Sequence, residues 1–83
     1  MTNPALIGSV VIQNNTNETY FVEELGDYEL LTGDTVDLLD DELPNYYRDW
    51  DSANRLVSSL PTAKLYQDIQ SGDIEVMANT PGG

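Results

Sequence analysis

The sequence predicts an α+β domain: a small three- or four-stranded sheet, mixed or antiparallel, with two short helices packed on one face. Three observations predict it. Short runs rich in β-branched and aromatic residues alternate with turns rich in Asn, Gly and Asp in the first half of the chain. Apolar residues then recur at helical spacing in two segments separated by Pro61. A last strand-like run, Ile74 to Met77, follows Gly72-Asp73. The order is strand, strand, strand, helix, helix, strand, with no internal repeat.

Residues 1–8 read as an N-terminal arm, 9–78 as the domain and 79–83 as a flexible C-terminal end. Asn3-Pro4 disfavours regular structure in the arm. Its Leu6 and Ile7 are free to pack on their own domain or on a neighbouring subunit. The first strand covers 9–13, with Val10 and Ile12 on one face and Val11 and Gln13 on the other. Asn14 to Glu18 is a turn, because Asn tolerates left-handed backbone. Residues 19–25 read as a second strand, and a hairpin between the two is the natural pairing. Gly26-Asp27 turns the chain into a short extended piece over Tyr28 to Leu31. After Thr32-Gly33-Asp34, alternation sets Val36 and Leu38 against Thr35, Asp37 and Leu39. Asp40 to Trp50 is a charged, aromatic connector broken by Pro44.

The first helix starts at Asp51 or Ser52, either of which can cap it. Ala53, Leu56, Val57 and Leu60 make its apolar stripe, and Pro61 interrupts it. Thr62 is placed to cap a second helix from Ala63 to about Ser71, with Leu65, Tyr66 and Ile69 as its apolar side. Gly72 stands where a left-handed terminating residue is expected. Ile74 and Val76 face the core from the last strand.

Composition excludes several functions. The chain has 83 residues, 15 acidic against 3 basic, a formal charge of -12, no cysteine and no histidine. A nucleic-acid binder needs a basic footprint, and only Arg48, Arg55 and Lys64 could supply one. The same field repels anionic membrane surfaces, and no apolar stretch approaches spanning length. A signal peptide is not expected, since the N-terminal run lacks a positive start and is broken by Gly8 and Ser9. Without His or Cys, the usual nucleophile and base pairs vanish. Leu31-Thr32-Gly33-Asp34-Thr35 lacks the spacing and lysine of a phosphate loop. Asp37, Asp40, Asp41 and Glu42 are the densest carboxylates, with Asp49 and Asp51 a second group. Neither has the spacing of a calcium-binding helix–loop–helix. The expectation is a protein that is not an enzyme, with no cofactor, metal or small-molecule substrate.

Tyr46-Tyr47-Arg48-Asp49-Trp50 stands out instead. Tyr, Trp and Arg dominate the energetics of protein interfaces. Tyr46, Tyr47, Arg48 and Trp50, together with Leu6 and Ile7 of the arm, are the candidate interface residues. The competing reading is that a domain this small uses Trp50 to close its core.

Two stretches also resemble a recurrent pattern. One runs Val11-Ile12-Gln13-Asn14-Asn15-Thr16, then Tyr20-Phe21-Val22-Glu23-Glu24-Leu25-Gly26, then Val36-Asp37-Leu38. The other is Leu65 with Ile69-Gln70-Ser71-Gly72-Asp73-Ile74 and Val76. Together they are similar to segments of small bacteriophage structural proteins. The resemblance implies a virion component: a capsid decoration protein, a neck or connector element, or a tail or fibre attachment module. Its partners would be other virion proteins and copies of itself, and it would be made in the host cytoplasm. Two other readings stay open: an acidic DNA-mimic inhibitor, and a small accessory protein that binds a cellular protein.

Overall fold

The computed structural model describes residues 8–81; most of the expected arm, including Leu6 and Ile7, lies outside the described residues. The α+β class holds. The elements are β1 (Ser9–Asn14), β2 (Tyr20–Val22), a 3-10 turn (Glu23–Leu25), β3 (Tyr28–Leu30), β4 (Thr35–Asp37), α1 (Trp50–Ser58), α2 (Lys64–Ser71) and β5 (Ile74–Thr80). Every strand pairing is antiparallel. One sheet has three strands in the order β4-β1-β5, and β2 and β3 form a separate two-stranded ribbon.

The expected hairpin between the first two strands does not form, because both edges of β1 are taken by β4 and β5. Asn14 turns the chain away instead. Its Oδ1 accepts from the Thr16 amide at 2.8 Å and the Thr16 hydroxyl at 2.7 Å. Its Nδ2 donates to the Glu18 carbonyl at 2.8 Å. This is the local side-chain turn that Asn favours over a continuing ladder. The second strand is also shorter than expected. After Val22 the chain winds into the 3-10 turn, closed by Gly26 at φ 70, whose amide donates to the Glu23 carbonyl.

Val10 and Ile12 of β1, Val36 of β4 and Ile74 of β5 are buried together with Leu38, Leu39, Leu56, Val57 and Leu65. The alternation expected through Leu39 stops at Asp37. Its Oδ1 accepts from the amides of Val10 at 3.1 Å and Leu39 at 3.0 Å. The bend lets two consecutive leucines, Leu38 and Leu39, both enter the core.

β5 runs past its expected end. Asn79 sits opposite Val10 and Thr80 opposite Ser9, so the first two residues of the expected flexible end are strand. The register shifts between Val11, opposite Ala78, and Ile12, opposite Val76, which leaves Met77 as the extra residue of a bulge on β5.

Asp49, not Asp51 or Ser52, caps α1: its Oδ2 accepts from the Ser52 amide at 3.0 Å. Ala53, Leu56 and Val57 are buried as the stripe predicts, while Leu60 packs on the core from beyond the helix end. α2 starts at Lys64 and receives no side-chain cap from Ala63 before it. Its amide end is met by Glu24, whose Oε2 accepts from the Leu65 amide at 3.0 Å from 41 residues away in sequence. Gly72 ends the helix at φ 93, as expected.

Candidate interaction surface

The connector after β4 is held by its own backbone and acids. Asp40 Oδ1 accepts from the Glu42 amide at 3.0 Å, and the Tyr47 amide donates to the Leu38 carbonyl at 2.8 Å. That second bond pulls Tyr47 inward, where it is half-buried and packs on the core. Burial, and then the nearby Glu24 charge, push its phenol above the ordinary range.

Trp50 is also half-buried against the core. Its Nε1 donates to Asn79 Oδ1 at 2.7 Å, and Asn79 Nδ2 donates to Asn54 Oδ1 at 2.8 Å. The bulge at Met77 makes this possible. Directly paired residues point to the same face of a sheet, so the shifted register puts Asn79 on the face of buried Val10, toward α1. The indole thus stitches the start of α1 to β5.

Tyr46 and Arg48 form the other pair of the segment. The Arg48 guanidinium lies 5.3 Å from the centroid of the Tyr46 ring, a cation–π contact, and Arg48 is exposed. The structure therefore separates the four described interface candidates: Tyr47 and Trp50 pack on the core, while half-buried Tyr46 and exposed Arg48 do not. Leu6 and Ile7 lie outside the described residues.

Three large apolar side chains not singled out in the sequence are solvent-facing: Phe21 is 53% exposed, Leu31 49% and Met77 49%. Phe21 pairs with Glu29 and Tyr20 with Leu30. Leu31 lies one residue past β3, and the register carried on by one residue sets it on the face of Phe21, diagonal to it. Glu29, opposite Phe21, and Thr19 are exposed as well. The ribbon thus carries an apolar pair beside the Glu29 carboxylate on its outer face. Tyr20, Val22 and Leu30 fill its inner face. A signal was available. In strict alternation Phe21 cannot share the side of Tyr20 and Val22, and Leu30 and Leu31 cannot both point inward.

The ribbon is clamped to α2 on its inner side. The Tyr20 hydroxyl donates to Asp68 Oδ2, which also accepts from Lys64 Nζ at 2.7 Å. The ammonium lies 4.5 Å from the Tyr20 ring centroid. Burial first, and then the bond to Asp68, hold the phenol far above its ordinary range. The bond to Asp68 leads the causes that raise Lys64. A phenol held this firmly in its protonated form is a structural donor and not an acid–base group near neutral pH.

The carboxylates do structural work too. Glu24, Asp37, Asp40 and Asp49 each accept from a main-chain amide. Among the described residues no group of three or more His, Cys, Asp or Glu could hold a metal ion, and no helix is long and apolar enough to cross a membrane.

Compared with protein-family models, with curated protein sequences and with solved structures, the chain matches none of them.

Proposed function

We propose that this chain is a non-catalytic interaction protein that docks through the outer face of the β2–β3 ribbon. Following the sequence resemblance, we propose that its setting is a bacteriophage particle. The observation that carries the docking surface is the placement of Phe21 and Leu31. They are the two most exposed large apolar side chains on one small, otherwise polar face, and the ribbon under them is fixed by the Tyr20–Asp68–Lys64 clamp. A rigid platform binds with little loss of side-chain freedom. The Glu29 carboxylate opposite Phe21 favours a partner with a basic group at that point.

The DNA-mimic reading needs carboxylates free to face a DNA-binding partner. Four of them here are turned into helix ends and turns by their own backbone amides.

The test starts with particles purified by density gradient from a producing culture, with the chain quantified by mass spectrometry. A fixed number of copies per particle is expected. A chain recovered wholly outside the particle fraction would overturn the particle setting. A folded Phe21→Ser/Leu31→Ser variant is expected to be lost from the particles by tenfold or more. Full incorporation of that variant would overturn the ribbon as the docking surface.

A further inference from the structure

The longest open edge of the protein is β5. It pairs only with β1, at the end of the β4-β1-β5 order. Among the described residues, no backbone hydrogen bond outside the sheet ladders involves residues 74–80. Its outward amides and carbonyls therefore have no main-chain partner among the described residues. Proteins blunt such edges with short strands, lysine or proline. The edges of β2, β3 and β4 are blunted by shortness, at three residues each. β5 has seven residues, with no lysine and no proline among them.

Charge decides what could cover this edge. All 18 charged residues lie between Glu18 and Glu75, so residues 1–17 and 76–83 carry none. β1 and β5 come from those two ends and lie side by side. They give a protein of charge -12 one nearly neutral flank, and its single carboxylate, Glu75, accepts a hydrogen bond from Asn15 Nδ2 at 3.1 Å. Carboxylates are densest elsewhere, between Glu18 and Asp73, where contact between copies brings like charges closer.

We propose that β5 is a self-association edge, on which two copies pair antiparallel about a two-fold axis at Met77 and join their sheets into one of six strands. A two-fold contact of this kind is self-complementary, since the same edge serves both copies. Centring on Met77 places Glu75 opposite Asn79 of the second copy, so no two carboxylates face each other across the seam. The bulge at Met77 leaves regular strand on both sides, Ile74 to Val76 and Ala78 to Thr80. The half-exposed Met77 side chains then meet at the axis. This association does not depend on the ribbon's role in docking, and either can fail alone.

Light scattering during size-exclusion chromatography tests it on the full chain. The expected result is a mass rising with concentration toward twice the 9.2 kDa of the chain, more readily at high salt, where self-repulsion is screened. Met77→Glu puts two carboxylates on the axis and is expected to return the monomer, with an unchanged circular dichroism spectrum. A wild-type monomer at every concentration and salt level, or a Met77→Glu dimer, would overturn the proposal.

A second variant keeps the test independent of that substitution. The chain has no cysteine, so Met77→Cys carries a single thiol. Opposed residues of an antiparallel pair lie about 4.5–5.5 Å apart at Cα, within disulfide reach. Mild oxidation should cross-link most of this variant and leave a Phe21→Cys control uncross-linked. Equal cross-linking in both would also overturn the proposal.

Discussion

Asn14 Nδ2 donates to the carbonyl oxygen of Leu30 at 2.9 Å, and this buried bond ties the three-stranded sheet to the ribbon. Asn14 is the one fully buried polar residue among those described, and both ends of its amide are used. A satisfied buried amide rigidifies and specifies a join, while a half-satisfied one is costly.

Asn14→Ala should therefore cost about 2–4 kcal/mol, since it strips partners from several buried groups at once. Asn14→Asp should cost at least as much, because a carboxylate cannot donate to the Leu30 carbonyl. Urea unfolding followed by the fluorescence of Trp50, the only tryptophan, measures both. A loss under about 1 kcal/mol for Asn14→Ala would mean that other donors replace the bond.

The Glu24 carboxylate caps α2 from outside the helix. Glu24→Ala should lower stability by about 1–2 kcal/mol, the usual range for a lost N-cap. Glu24→Gln should cost less, because its side-chain oxygen still accepts from the Leu65 amide. Hydrogen exchange localises the effect: the first turn of α2 should lose protection in Glu24→Ala and keep it in Glu24→Gln.

Gly72 takes φ 93, and a Cβ built there meets no atom within 4 Å. Gly72→Ala should cost about 1–2 kcal/mol from left-handed backbone alone. Gly72→Asn should cost less, since Asn tolerates that region. Thermal denaturation of the two variants checks the order. An alanine variant as stable as wild type would show that the turn relaxes.

Tyr20, Tyr47 and Lys64 all titrate higher in the folded protein than alone, the phenols chiefly by burial and the ammonium by its bond to Asp68. Raised values keep protons on the native state that the unfolded state releases first. Their stabilisation is complete below about pH 10 and is lost as pH rises beyond it. Urea midpoints should therefore fall on the alkaline side of that point. Tyr20→Phe should flatten the fall, at the expense of the bond to Asp68. In a near-ultraviolet titration of the five tyrosines, two should ionise late or only on unfolding. Five phenols titrating together would remove the burial argument.

The sequence by itself determined the class, both helices and the Gly72 stop. These depend on neighbours within a few residues: Ala53, Leu56 and Val57 fall on one side of any helix drawn through them. It also showed that the chain has neither histidine nor cysteine, which follows from residue types alone. Tertiary structure decided the pairing of strands. Five short strands offer many antiparallel partners, and locality favoured a β1–β2 hairpin. Burying Val10 and Ile12 on both sides instead required Val36 and Ile74 from distant strands. It also decided which aromatics of the connector pack on the core. Tyr47 and Trp50 are drawn inward by bonds to Leu38 and Asn79, residues that no local pattern links to them. The exposed pair of Phe21 and Leu31 lay between: alternation placed each side chain, but only the register of β2 against β3 set the two side by side.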